Sequence, residues 1–222
     1  MGKDTTLTMY DETAFLTATW AREPFPHAVI DNAWNPWVLR DCLGEFPAAN
    51  DRRWVTYNDP EEVGKKAGGT NMWGEATREF FTAVRSPGFA ALLEQVTGIS
   101  PLTGDDIGGG MHETGTGGRL EMHVDFNIHP GDPGLERRLN MLVFLNDTWE
   151  REWGGTLLLG ADRSVEVPPL FNRTVLFECS ATSFHGHPDP IVGDHLRRSL
   201  ACYFYAPVRA ETEAAHSTLW SR

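Results

Sequence analysis

The stretch 108-GGGMHETGTGGRLEMHVDF-126 marks the point at which the chain changes character. From about Gly108 on, β-rich runs at 120–126, 139–145, 156–159, 165–167, 174–178 and 198–205 are separated by Gly, Pro, Asn and Asp. Short strands at such intervals read as a sandwich or barrel. The glycines at 108–110 and 115–118 read as turns, because they lack the strand-then-helix setting and the Gly-Lys-Ser/Thr ending of a phosphate loop. Upstream, the spacing is helical. Asn35-Pro36 supplies a capping residue and a proline for the first helical position, with Trp37, Val38, Leu39, Cys42, Leu43 and Phe46 as the apolar face. A second helix is expected over 75–84. A third opens at Ser86-Pro87, repeats Phe89, Leu92, Leu93 and Val96 on one face, and stops at Gly98. Residues 25–30 read as a short strand, and residues 1 to about 22 as a lead-in without determined structure.

Helices first and strands afterwards predict an α+β domain with helices on one face of a β-sandwich or barrel. The expected division of a single domain, 1–222, is an N-terminal segment with supporting helices (1–107), a β core (108–207) and a tail (208–222). The 222 residues suit one domain, and 41% hydrophobic residues with eight Trp suit a packed core. The longest apolar run, 200–206, is far short of the roughly 20 residues of a spanning helix, so no membrane association is expected. Acidic residues outnumber basic ones 31 to 19, which argues against a nucleic-acid partner. Three cysteines, Cys42, Cys179 and Cys202, with no CxxC pair, point to buried thiols in a reducing, cytoplasmic compartment. The N-terminus has no apolar signal region, and Gly2 with Thr6 meets the loose myristoylation spacing, a pattern common by chance.

His123-Val124-Asp125 is the first chemical candidate, since strand residues two apart share a face and can reach one ion. Alone it means little: His187-Pro188-Asp189 repeats the pattern. Two downstream segments give it weight. Ser183-Phe184-His185-Gly186-His187-Pro188 comes directly after the run at 174–178, and Arg197-Arg198-Ser199 opens the last run. Two histidines and one carboxylate form the facial triad that binds Fe(II) and leaves coordination positions open. An arginine in the same barrel can grip a carboxylate through two parallel hydrogen bonds. Triad plus anchor point to a 2-oxo acid cosubstrate with one position left for dioxygen. Along the last run, Arg197, Ser199, Ala201 and Tyr203 share one face, and Arg198, Leu200, Cys202 and Phe204 the other. The first set, small and polar, suits a cosubstrate pocket; the second suits packing on helices.

These segments, with Arg138-Leu139-Asn140, Phe144-Leu145-Asn146, Trp153-Gly154-Gly155-Thr156-Leu157, Phe171-Asn172-Arg173 and Tyr203-Phe204-Tyr205, resemble the Fe(II)/2-oxoglutarate oxygenases of the prolyl-4-hydroxylase-like branch. The resemblance covers about residues 85–207, in order and spacing. It implies a double-stranded β-helix (jelly roll) with supporting helices, and Fe(II), 2-oxoglutarate, dioxygen and a reductant such as ascorbate. Carried over by position, His123, Asp125 and His185 are the metal ligands. His187 shares His185's face in an extended segment, and the resemblance favours His185 because the family's ligand precedes the glycine. Arg197 with Ser199 matches the family's Arg-x-Ser cosubstrate contact. Relatives often carry Tyr where Phe144 stands, so Asn140, on the same strand face, is an expected cosubstrate contact in its place; a buried amide satisfied by the backbone is the rival reading. His112, His129, His195 and His216 fit no ligand position and are expected to be exposed or satisfied. Asn127, Trp153 and Glu113 border the expected mouth but read as packing or surface residues.

The implied reaction is hydroxylation of an unactivated C–H bond with release of succinate and carbon dioxide, since Asp125 fills the place that related halogenases leave small for chloride. Desaturation and ring closure use the same chemistry. With no evident peptide- or nucleic-acid-docking module, a small molecule, such as a biosynthetic intermediate, is the expected substrate. A prolyl or other protein residue is the alternative. A cupin-type metal dioxygenase would share the barrel but has no reason for Arg197-x-Ser199, and a non-catalytic jelly-roll binding module has no reason for a complete triad.

Overall fold

The computed structural model describes residues 8–221, so the Gly2/Thr6 pattern lies outside the described residues. One strand organises them. β4 (Thr103–Val124) runs through the stretch at which the sequence changes character and takes part in two layers. Its first half pairs with β10 (Arg197–Pro207), which pairs with β5 (Leu135–Phe144), then β8 (Arg173–Glu178) and β1 (His27–Asp31). Its last residues pair with β9 (His185–His187), which continues into β6 (Leu157–Leu159) and β7 (Val165–Val167). These ladders are antiparallel, and the two layers curl into a jelly roll. A hairpin of β2 (Val55–Asp59) and β3 (Glu62–Gly68) extends the larger layer beside the middle of β4, and β11 (Leu219–Trp220) pairs with its end.

The glycines expected to form turns instead lie inside β4. Residues 106–109 fall where its register against β10 shifts, and 115–118 fall where it leaves step with β3. Flanking partners carry the strand through both places as bulges, which a local reading of Gly cannot foresee. The hairpin also escaped the sequence reading, although Val55-Thr56-Tyr57 followed by Asn58-Asp59-Pro60 carries a strand-and-turn signature.

The helices follow their caps. α1 (Glu12–Leu16), capped by Asp11, lies in the segment expected to lack structure; Phe15 is fully buried there and packs edge-on against Trp34 and Phe89. α2 (Pro36–Gly44) starts at Asn35, whose side chain accepts from the Trp37 amide. Trp37 itself is 72% exposed, so it is not part of the buried face. α3 (Glu75–Val84) and α4 (Pro87–Thr97) follow, the latter capped by Ser86 and ended by Gly98 at φ +75°. The helices cover the outer face of the larger layer. Leu139, Met141 and Val143 of β5 and Leu200, Cys202 and Phe204 of β10 join Trp34, Phe80 and Phe89 in one core. The alternate residues of the same two strands point into the barrel.

Candidate metal centre and cosubstrate cavity

β4 and β9 bring the first group together. Leu120 pairs with His187 and His123 with His185, with a shift in register between them. β9 can lie this close because residue 186 is glycine: a Cβ there would stand 2.7 Å from the Glu121 carbonyl oxygen and 2.8 Å from that of Leu120. His123 Nδ1 donates to the Glu121 carbonyl at 2.9 Å, and His185 Nδ1 donates to that of Ser183 at 3.0 Å. A carbonyl can only accept, so both protons sit on Nδ1 and both Nε2 lone pairs are free to bind.

Those Nε2 atoms face one carboxylate. Asp125, one residue past the end of β4, places Oδ1 3.6 Å from His123 Nε2 and Oδ2 3.3 Å from His185 Nε2. The three ligand atoms lie within 4.8 Å of one another, the one such group among the described residues. Adjacent ligands of an octahedral ion at about 2.1 Å stand about 3 Å apart, so an ion needs only small side-chain adjustments. Burial would raise the Asp125 carboxyl, but Arg137 beside it and the two imidazoles outweigh this and hold it well below the usual carboxylate range. Burial, and then the proximity of His123, push His185 down, toward the neutral form that ligates a metal.

Arg137 escaped the sequence reading. Its guanidinium is buried, donates from Nη2 to Asp125 Oδ2 at 3.0 Å, and lies 3.4 Å from the Tyr203 ring centre. On an unbroken strand Arg137 would share the helix-facing side with Leu139. The β5–β10 register steps from Leu139↔Phe204 to Arg137↔Tyr205, making Arg138 an extra residue and turning Arg137 inward. Asn140 is held by side chains rather than by backbone. Its Nδ2 donates to Asp125 Oδ2 at 2.7 Å and its Oδ1 accepts from Arg137 Nε at 2.7 Å. It lines the cavity, and these bonds aim it at the Asp125 carboxylate.

The cavity runs from the triad to Arg197 and Ser199 at the start of β10. Arg197 is buried, donates from Nε to the Gly155 carbonyl at 2.8 Å, and stacks over Phe144 at 4.9 Å. No carboxylate pairs with it among the described residues, and burial brings its guanidinium down to about 9. Arg198 points the opposite way, to Glu113 at 2.9 Å and the Phe46 ring. His187 lines the same cavity nearer Arg197; its Nδ1 is buried without a hydrogen-bond partner, and burial with the Arg197 charge keeps it neutral. His112, expected to be exposed or satisfied, also lines this cavity and is pushed down to about 3 by burial and by Lys65 and Arg197. The remaining histidines lie elsewhere: His27 donates to the Phe25 carbonyl at 2.8 Å, His129 faces Asp105 at 3.3 Å, His195 stacks on Trp153 at 3.7 Å, and His216 borders a second chamber. An acid-free buried cation and an unsatisfied imidazole nitrogen beside an oxygen–nitrogen triad suit an anionic chelating ligand together with a hard-to-intermediate metal ion.

Residues 109–205 match the 2OG-Fe(II) oxygenase superfamily. The chain carries a 2OG-Fe(II) oxygenase domain. The cofactors that belong to this domain are Fe(II) and 2-oxoglutarate. Among curated proteins it is similar to prolyl 3-hydroxylase OGFOD1 of Mus musculus, 33% identical over 85 residues, covering 34% of this chain and 16% of that one. The oxygenase domain thus matches a small part of that relative's length. In structure it resembles a prolyl hydroxylase from Trichoplax adhaerens, solved with a hypoxia inducible factor peptide (TM-score 0.58, 17% identity, 81% of this chain and 83% of that one). It also resembles HygX from Streptomyces hygroscopicus, solved with nickel and 2-oxoglutarate (TM-score 0.53, 13% identity, 82% of each chain). The jelly roll and its helices are therefore the fold of the prolyl-4-hydroxylase-like oxygenases.

The second chamber, of about 200 Å³, shares Asp125 and Arg137 with the first and is walled by the tail. Asn127 anchors this tail, donating to the Glu213 and Ala214 carbonyls and accepting from the His216 amide. Glu136 holds Arg209 and Thr212, and Trp220 lies 5.2 Å from the His123 ring. Trp153 and Glu113 border neither chamber.

Proposed function

We propose that this protein is a non-haem Fe(II)/2-oxoglutarate-dependent dioxygenase that hydroxylates an unactivated C–H bond of a small molecule in a biosynthetic step. The observation that carries the chemistry is one cavity with the His123, Asp125 and His185 ligand atoms at one end and the acid-free Arg197 at the other. In this reading the triad holds Fe(II), and Arg197 with Ser199 receives the far carboxylate of 2-oxoglutarate. Iron, 2-oxoglutarate and dioxygen together supply the oxidising power, with succinate and carbon dioxide as coproducts. The chain contributes position. Arg137 and Asn140 keep Asp125 ionised and aimed, while Phe144, Phe177, Leu142 and Leu157 exclude water beside the ligands.

The small-molecule reading is supported by the second chamber beside Asp125, one wall of which is the tail. HygX, a structural neighbour, has also been solved with hygromycin B bound. No helix of the described residues is long and apolar enough to cross a membrane, and no disulfide joins Cys42, Cys179 and Cys202, which suits a reducing cytoplasm. A second reading, oxidation of a prolyl or other protein residue, is favoured by the match to a prolyl 3-hydroxylase. Pools of small metabolites and of proline-containing peptides, each added to the iron-loaded protein with 2-oxoglutarate, separate the two. Metabolites are expected to accelerate succinate release. Acceleration by peptides alone, with an oxidised residue found by mass spectrometry, overturns the small-molecule assignment.

A further inference from the structure

The β2–β3 hairpin extends the larger layer at the edge of β4, and it places one charged side chain, Lys65, on the lining of the cosubstrate cavity. Lys65 of β3 pairs with Thr114 of β4, and Thr114 pairs on its other side with Arg197 of β10. Residues directly opposite on neighbouring strands share a face. Lys65, Thr114 and Arg197 therefore form one row pointing inward, and strands about 4.8 Å apart put the two outer backbones about 10 Å from each other. Both long side chains line the cavity, with the Lys65 ammonium held against Glu62 and 5.1 Å from the Tyr57 ring centre. The next row repeats the arrangement with Ala67, His112 and Ser199.

Lys65 is aimed there by a local irregularity. Gly64, at φ +65°, is the extra residue in β3 as its register against β2 steps from Lys65↔Tyr57 to Val63↔Asn58. A bulge of this kind re-aims the side chain beside it, and a residue with a Cβ would be strained at that φ. The neighbouring Lys66 projects to the other side of the strand and pairs with Glu113 at 3.1 Å, on the side where Arg198 also meets Glu113. The charges around the cavity are unequal. Arg137 is committed to Asp125, Arg197 has no carboxylate among the described residues, and Lys65 has Glu62, a neighbour in its own hairpin at 2.5 Å. The end remote from the metal therefore carries positive charge in excess of what the chain itself neutralises.

We infer that Lys65 is a second cationic contact for the far carboxylate of 2-oxoglutarate, acting with Arg197 from the opposite side of Thr114, so that the hairpin forms part of the cosubstrate site. The inference rests on the reading of Arg197 above and extends it to a residue of the hairpin that lengthens the larger layer. One ammonium and one guanidinium on either side of a carboxylate would also discriminate against 2-oxo acids that lack the second acid group.

The test measures binding rather than turnover. Protein loaded with Mn(II) is titrated anaerobically, by calorimetry, with 2-oxoglutarate and with 2-oxopentanoate, which has the same carbon chain without the far carboxylate. Lys65→Met is expected to weaken 2-oxoglutarate binding about tenfold or more, the range for a hydrogen bond to a charged group, and to leave 2-oxopentanoate and Mn(II) binding unchanged. Lys65→Arg should retain most of the affinity. Lys66→Met, the same charge change on the other face of the same strand, should bind 2-oxoglutarate like wild type. Glu62→Gln removes the competing carboxylate and should leave binding equal or tighter. Equal 2-oxoglutarate affinity in Lys65→Met and wild type overturns the inference while leaving the cosubstrate reading intact. Parallel losses for both ligands, or in Lys65→Met and Glu62→Gln together, also overturn it, by marking a structural ion pair. Wild type that binds no 2-oxoglutarate overturns the cosubstrate reading, and the role of Lys65 with it.

Discussion

The two faces of the β5–β10 pair are built from alternate residues of the same strands, and they differ completely in chemistry. Toward the helices stand Leu139, Met141, Val143, Leu200, Cys202 and Phe204, continuous with Trp34, Phe80 and Phe89. Toward the barrel stand Asn140, Arg197, Ser199 and Tyr203, with Arg137 turned in beside them, interleaved with the apolar Leu142, Phe144 and Ala201 and the ring of Tyr205. Burial is nearly equal on both sides. What differs is whether the buried groups satisfy one another. The helix side does so by packing. The barrel side keeps a cation without an acid and an imidazole nitrogen without a partner, and such groups remain costly until a ligand meets them. Packing is concentrated on one face and unsatisfied polar groups on the other.

The contrast is open to direct attack. The largest effect is expected at the metal end: Asp125→Ala or His185→Ala should abolish metal binding and turnover without unfolding the protein, whereas His187→Ala should still bind the ion. Metal content after dialysis and thermal melting check both halves, and metal loss in His187→Ala with retention in His185→Ala would reverse the ligand assignment. On the other face, Phe89→Ala should cost about 3–5 kcal/mol of stability, as large core truncations do. The protein that remains folded should bind Mn(II) and 2-oxoglutarate with near-native affinity. Unequal loss of binding in that folded fraction would show that the two faces are coupled.

The smallest effect is a pH dependence. His112 is held down to about 3 in the fold against an ordinary 6.5. Below about 6.5 the unfolded chain takes up a proton that the folded cavity refuses, so this contribution to stability is complete above 6.5 and is lost as pH falls toward 3. The slope is at most about 1.4 kcal/mol per pH unit for one histidine. Thermal melting of the metal-free protein between pH 7.5 and 5 should show the decline, and His112→Asn should make it shallower. An identical profile in the variant would place the lost stability elsewhere.

Much of the fold and part of the site follow from local rules. Caps and stops at Asn35, Ser86 and Gly98 delimit helices because they act within one turn of chain. Period-2 alternation assigns Leu200, Cys202 and Phe204 to one side of β10, and Arg197, Ser199 and Tyr203 to the other, because a strand has only two faces. The motif around His185 and the pair at 123 and 125 are equally local, and the structure brings their ligand atoms into one cluster. Other features were decided only when distant strands met. Arg137 enters the cavity because Arg138 is an extra residue against β10, a one-residue offset that reverses strand parity and that nothing in 135–144 announces. The glycine segments of β4 continue a strand because the paired residues before and after each step keep its direction. Lys65 and Arg197 stand in one row because two ladders pair each of them with Thr114 from opposite sides. By itself the sequence determined the periodicities and the residue types capable of the chemistry. Pairing register, which depends on the partner strand as much as on the strand itself, decided which of them face one another.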